Sequence, residues 1–331
     1  MSQVAREQAL LSEYKGNLFE FLVGSSLSRK LKIEMKFLSS LSEEFKKMLS
    51  IQESFIRQYY PELLIDLPVL ASGIADEIIN SIEFEQISDI AIVGKVALAS
   101  QNSTFSEADI ILKSKNKFYP ISLKLSKANA FVNTKSAGLR SFFTKYFSSF
   151  GDETVNSIQD SFNQNCDLII NNFANALYAN HDLEYDGSFA QWVDLGNTSL
   201  SGQLEGADRE LYKHMLYAIN EKVYIHVNQL LVKDPKAFSM DLLPLMGFGD
   251  RQIIQATCFY KANAKNYAAF ENVVEVYDSG FEKLEPKLGS FKMDVANFDI
   301  CLGKKTLQLR VKAMNKFTSK SFKMNCSVKT S

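Results

Sequence analysis

The hydrophobic pattern changes period along this chain. From the N-terminus to about residue 60, apolar residues recur three and four apart. Phe37, Leu38, Leu41, Phe45, Met48 and Leu49 form a stripe that predicts amphipathic helix, with a stop at Pro61. A second helix is expected over 69–83. Residues 87–99, ISDIAIVGKVALA, read as one or two short strands broken at Gly94. Glu107 to Lys127, EADIILKSKNKFYPISLKLSK, alternates with period two and predicts a β-hairpin. A helix is expected from about Ser136 to Phe150, with N-terminal amides that could meet a phosphate. Two more are expected over 152–182 and 203–233. On the last of these, Tyr212, Met215, Leu216, Ile219 and Val223 share one face. From Arg251 onward the pattern turns to strands. The segments KTLQLRVKAMN and SFKMNCSVK alternate as a half-solvated antiparallel pair would, with Arg310 and Lys312 on one face. These elements predict an α+β protein. Its expected divisions are a core with N-terminal helices over 1–150, a helical segment over 151–250, and a basic β-rich region over 251–331 packed on that core.

The hairpin carries the chemistry. Its turn signal is Ser114-Lys115-Asn116-Lys117, and centring the turn between Lys115 and Asn116 sets Asp109 opposite Ser122 and Glu107 opposite Lys124. Side chains alternate along a strand, so these four share one face. Ile110, Leu112, Ile121, Leu123 and Leu125 are expected on the core side. A one-residue slip would exchange the two faces, so the register is well specified.

A carboxylate beside a lysine suits metal-assisted phosphodiester hydrolysis. The carboxylate can hold a hard cation such as Mg²⁺, with Mn²⁺ as a substitute, and the metal acidifies a bound water. The lysine can orient that water or offset charge at phosphorus. This spacing resembles the PD-(D/E)XK nuclease superfamily, in which an Asp closes one strand and an acid-x-Lys tripeptide lies on the next. Asp109 matches the Asp, and Ser122-Leu123-Lys124 matches the tripeptide. The resemblance spans residues 10–150 and implies a restriction-endonuclease-like core, a mixed sheet flanked by helices. It also implies a metal-dependent DNA endonuclease of restriction type or phage origin, with a homodimer as a possible assembly.

The chain departs from that pattern at two positions. Ala108 stands where the family name has Pro, and Ser122 stands where an acid is usual. Serine is a poor metal ligand, so a second carboxylate is expected from elsewhere. Glu20, on an apolar helix face with Leu18, Phe21, Leu22 and Leu27, is the first choice as metal ligand and catalytic residue beside Asp109. Glu77 and Glu107 are the competitors. The Ser122 departure also supports an alternative, a nuclease fold that binds nucleic acid or serves structurally without catalysis. A third reading makes the hairpin an ordinary solvated sheet face with a cross-strand ion pair.

Composition narrows the partners. The 331 residues carry a net charge of −1, but the charge is segregated. No acid occurs from Ile110 to Gly151 or from Cys301 to Ser331, and each segment carries eight basic residues. Such segregation creates local fields that suit a polyanion. Lys127, Lys135, Arg140, Lys145, Arg310 and Lys312 are the candidate contacts to DNA. Trp192, in the loop YDGSFAQWVDLGNTSLSGQ, is better placed to fill a core than to stack on a base. Four separated cysteines and three histidines make no zinc pattern, and the thiols are expected free in a reducing cytoplasm. No membrane partner is expected, since no run of eighteen apolar residues occurs and the N-terminus lacks a signal-peptide layout.

Overall fold

The computed structural model describes residues 3–93, 107–249, 251–263 and 266–330. The class is α+β, with one mixed five-stranded sheet and one antiparallel five-stranded sheet. The chain forms two compact units, and the boundaries differ from the expected ones. One unit joins residues 2–130 to 250–278, and the other joins 131–249 to 279–331.

The first unit begins with four helices: α1 (Gln3–Lys30), α2 (Glu34–Ser40), α3 (Glu43–Tyr59) and α4 (Leu63–Ser81). The Ser42 hydroxyl caps α3 by accepting from the Phe45 N–H, and the helix stops before Pro61 as expected. Helix α4 starts six residues earlier than the sequence pattern predicts and runs through Pro68. A proline there removes one backbone hydrogen bond. Burial of Leu63, Leu67, Leu70, Ile74 and Ile78 outweighs that loss, at about 1.5–3 kcal/mol for each large side chain.

Strands β1 (Ile87–Ile92), β2 (Ile110–Ser114) and β3 (Phe118–Lys127) form an antiparallel meander. The hairpin register is the expected one, with Ile110 opposite Ile121 and Leu112 opposite Tyr119. Ser114 closes the turn by accepting from the Lys117 N–H at 2.9 Å and donating to Glu85 at 2.8 Å. The strand reading of residues 87–99 holds to Ile92, and the break at Gly94 lies outside the described residues. Two strands from far downstream complete this sheet. β5 (Ile254–Ala262) lies parallel to β3, and β6 (Tyr267–Glu275) lies antiparallel to β5. The region 251–331 is therefore not one C-terminal β layer, because its first two strands belong to the mixed sheet. Ile110, Leu112, Ile121, Leu123, Ala256 and Cys258 pack with the helices in one apolar core.

The second unit holds β4 (Val132–Gly138), α5 (Phe142–Tyr146), α6 (Asp152–Ala179), α7 (Ala190–Asp194), α8 (Gly206–Lys233) and α9 (Pro235–Leu242). It ends with β7 (Lys287–Leu288), β8 (Asn297–Leu302), β9 (Lys305–Ala313) and β10 (Phe322–Thr330). Its sheet runs β4-β10-β9-β8-β7. The helix expected over Ser136–Phe150 is corrected here. Residues up to Gly138 pair with β10, and only Phe142–Tyr146 form an α-helical turn. The helical spacing of Phe142, Phe143, Tyr146 and Phe147 is real, but these side chains fill the unit's core from a short turn. Trp192 is buried and its indole N–H donates to the Thr198 carbonyl at 2.8 Å, so it has the packing role.

Candidate active site

Asp109 sits one residue before β2, where the antiparallel ladder with β3 ends. Its own N–H donates to the Ile121 carbonyl at 2.8 Å. The β2–β3 ladder does not reach Leu123, and the Asp109 carboxylate supplies an acceptor there. The Leu123 N–H donates to Asp109 Oδ2 at 2.6 Å. The Ser122 hydroxyl donates to the same oxygen at 3.4 Å, and the Lys124 ammonium lies 3.7 Å from it. Lys124 also donates to Ser122 Oγ at 3.0 Å. The structure thus brings together three of the four expected catalytic residues. Ser122 is buried, whereas the Lys124 side chain keeps 35% of its exposure and Asp109 keeps 19%. A lysine reached by solvent beside a fixed carboxylate can act on a group that approaches from outside.

The second carboxylate is less sharply defined. Glu20 lies half-buried on α1. One turn further on the same helix face, Gly24 sits so close to the sheet that an added methyl would come 3.6 Å from Ile110 Cδ1. Ile110 follows Asp109 in sequence, so α1 runs beside the strand end that carries the carboxylate. Glu77 accepts from Ser81 on its own helix at 3.0 Å. Glu107 lies in the turn before Asp109, outside the ladder, so the direct cross-strand pairing with Lys124 expected for it is not formed. Asp109 itself takes the position beside that lysine.

Among the described residues, no group of three or more His, Cys, Asp or Glu side chains is arranged to hold a metal. The donor chemistry still fits a hydrated magnesium ion, which needs only one or two carboxylates and keeps several waters. All the hydrogen bonds that Asp109 receives among the described residues fall on Oδ2, so Oδ1 is the oxygen left for a cation.

The candidate DNA contacts fall into separate settings. Lys127 is exposed at the end of β3. Lys135 pairs with the buried Cys326 across β4 and β10 and is half-buried, and burial followed by the nearby Lys145 charge pulls its pKa down. Arg140 is engaged by Asp167 and the Asn163 carbonyl. Lys145 lies over the Tyr146 ring, 5.6 Å from its centre. The helix expected to offer N-terminal amides to a phosphate is only a five-residue turn. Arg310 and Lys312 are exposed on β9, as expected.

Two neighbours of the site escaped the sequence reading. The parallel register sets Gln255 beside Ser122 and Thr257 beside Lys124. Strand residues paired in this way share a face, so both line the same side of the sheet. Nothing local announces them, because β5 joins β3 across more than a hundred residues. All four cysteines are free thiols. Among the described residues, no helix is long and apolar enough to cross a membrane. No protein-family model matches this sequence, and no curated protein or solved structure is detectably similar to it.

Proposed function

We propose that this chain is a metal-dependent endonuclease that hydrolyses DNA phosphodiester bonds, with a variant PD-(D/E)XK site. The observation that carries the reading is the convergence of Leu123 N–H, Ser122 Oγ and Lys124 Nζ on one oxygen of Asp109. The mixed sheet supports it too. A meander ends in the strand that bears Lys124, a parallel strand flanks it, and helices cover one face. Asp109 is the principal metal ligand and Glu20 the second. A hydrated Mg²⁺ held there, or Mn²⁺ in its place, supplies Lewis acidity and a more acidic water. Leu123 and Ser122 fix the orientation of Asp109. Lys124 offsets the negative charge that builds on the phosphoryl oxygens as water adds and the sugar oxygen leaves.

A second reading rests on Ser122. With no acid at that position, and with Asp109 Oδ2 already satisfied by the protein, the same geometry suits a nuclease-like scaffold that binds nucleic acid without cutting it. Incubation with supercoiled plasmid and Mg²⁺ or Mn²⁺, with and without EDTA, separates the two. Nicking or linearisation that EDTA abolishes, and that Asp109→Asn removes, is the expected result. Intact plasmid under every metal condition passes the function to the non-cutting binder.

A further inference from the structure

The second unit presents a cationic sheet face that the hydrolytic site does not use. Along β9 the outward residues are Thr306, Gln308, Arg310 and Lys312, and along β10 they are Lys323, Asn325, Ser327 and Lys329. The inward residues Leu307, Leu309, Val311, Met324 and Cys326 are buried. Register sets Lys312 directly opposite Lys323, and Arg310 directly opposite Asn325. The Arg310 row continues to Ser136 on β4 and Asn297 on β8.

Two like charges directly opposed across a ladder destabilise it. Here a third cation, Arg310, stands beside them. Burial, then Arg310 and Lys323, pulls the Lys312 pKa down. Several exposed cations elsewhere, Arg29, Lys30, Lys46, Arg57 and Arg140, have a carboxylate within ion-pair distance. Among the described residues, no carboxylate lies within that distance of Arg310, Lys312 or Lys323. Arg310 instead donates to Gln308 at 3.0 Å, and Gln308 donates to Asp299 at 3.1 Å. That chain orients the guanidinium without neutralising it. Among the described residues of these strands, Asp299 is the one acid on the face, at its β8 side.

We propose that this face of the antiparallel sheet docks on the phosphate backbone of duplex DNA, with Arg310, Lys312 and Lys323 as the phosphate contacts. The choice of anion rests on the nucleic-acid reading above. The duplex is favoured because the outward positions of β9 and β10 hold cations, amides and hydroxyls but no aromatic ring. Backbone contact needs the former, and single-strand binding depends on stacking on the latter. Asn325, Ser136 and Asn297 add neutral donors beside the cations, as phosphate-binding surfaces do.

The test is fluorescence anisotropy of the full chain with a labelled duplex oligonucleotide across a salt series in EDTA. The wild type is expected to bind with an affinity that falls steeply with salt. The variant Arg310→Gln/Lys312→Gln/Lys323→Gln should flatten the slope of log K against log[salt] by about 2–3, at roughly 0.9 for each phosphate that is no longer neutralised. The charge-preserving variant Arg310→Lys/Lys312→Arg/Lys323→Arg should keep the slope, which separates loss of charge from damage to the sheet. Absent wild-type binding, an unchanged slope in the glutamine variant, or tighter binding of the single strand would overturn the proposal. Plasmid cleavage is scored separately. Duplex binding without cleavage defeats only the endonuclease reading, and cleavage with an unchanged slope defeats only this surface.

Discussion

The backbone N–H of Leu123 donates to Asp109 Oδ2 at 2.6 Å, so the candidate metal ligand also terminates a β-ladder. A charge-assisted bond of this kind is stronger than a neutral one, and a buried N–H left without an acceptor is costly. Asp109 therefore serves stability in addition to the chemistry proposed for it, and its variants should separate the two roles.

Asp109→Ala removes the acceptor altogether and should lower stability by about 1–3 kcal/mol. Asp109→Asn keeps an amide oxygen for the Leu123 N–H and should lose distinctly less. Both should lose Mn²⁺ binding, since neither carries the charge that holds a hard cation. Urea unfolding measures the first effect and calorimetric titration the second. Equal stability losses in the two variants would remove the ladder-ending role, and unchanged Mn²⁺ affinity in either would put the metal elsewhere.

Lys124→Ala should leave the fold intact, because this side chain is partly solvated and lies on the face away from the apolar core. Loss of one preorganised charge costs about 3–4 kcal/mol in the barrier, which corresponds to a fall of two to three orders of magnitude in cleavage rate. Single-turnover cleavage of an oligonucleotide duplex checks this. Rates equal to wild type, with an unchanged melting curve, would remove Lys124 from the chemistry.

What is legible in the sequence follows the range of the interactions involved. The hairpin register can be read because Ser114 closes its turn locally and because alternation from Ile110 to Leu125 ties each residue to a face. Helices α3 and α8 are legible for the same reason, from the apolar rows that run through Phe45 to Leu49 and Tyr212 to Val223. The fate of Ser136–Gly138 is not, because its partner strand lies almost two hundred residues downstream, and ladder pairing with Lys323–Asn325 overrides the helical spacing that follows. The flanking of β3 by β5, which sets Gln255 and Thr257 beside Ser122 and Lys124, is equally non-local. In the site, the grouping of Asp109, Ser122 and Lys124 comes from alternation alone. The bond from Leu123 does not, since it depends on the ladder ending one residue after Asp109.

Gly24 offers a test of how α1 lies against the strand end. A methyl group there would come 3.0 Å from the Phe37 ring and 3.6 Å from Ile110 Cδ1. Gly24→Ala gains helix propensity of about 1 kcal/mol, but the ring must give way. Gly24→Val should be clearly destabilising, by about 1–3 kcal/mol of overpacking. Chemical denaturation of the pair decides it. A valine variant as stable as the alanine variant would mean that α1 does not approach Ile110 this closely.

Ser122→Asp probes whether the site can be returned to the acid-x-Lys pattern. Ser122 Oγ lies 3.4 Å from Asp109 Oδ2, so an aspartate there would bring two carboxylates into one site. Like charges at that range resist ionising together. Lys124, 3.7 Å from Asp109, offsets part of the repulsion but is only one charge against two. Without a divalent cation the variant should therefore melt below the wild type. A metal that binds only the folded state stabilises it by mass action, about 2.7 kcal/mol at a hundred times its Kd. The two carboxylates should lower that Kd, so adding Mn²⁺ should raise the melting temperature of Ser122→Asp more than that of the wild type. The double variant Ser122→Asp/Asp109→Asn provides the control, because one carboxylate is gone and the extra response should vanish. Equal Mn²⁺ shifts in wild type and Ser122→Asp would show that position 122 does not face a cation. The non-cutting reading would then be the better account of the serine found there.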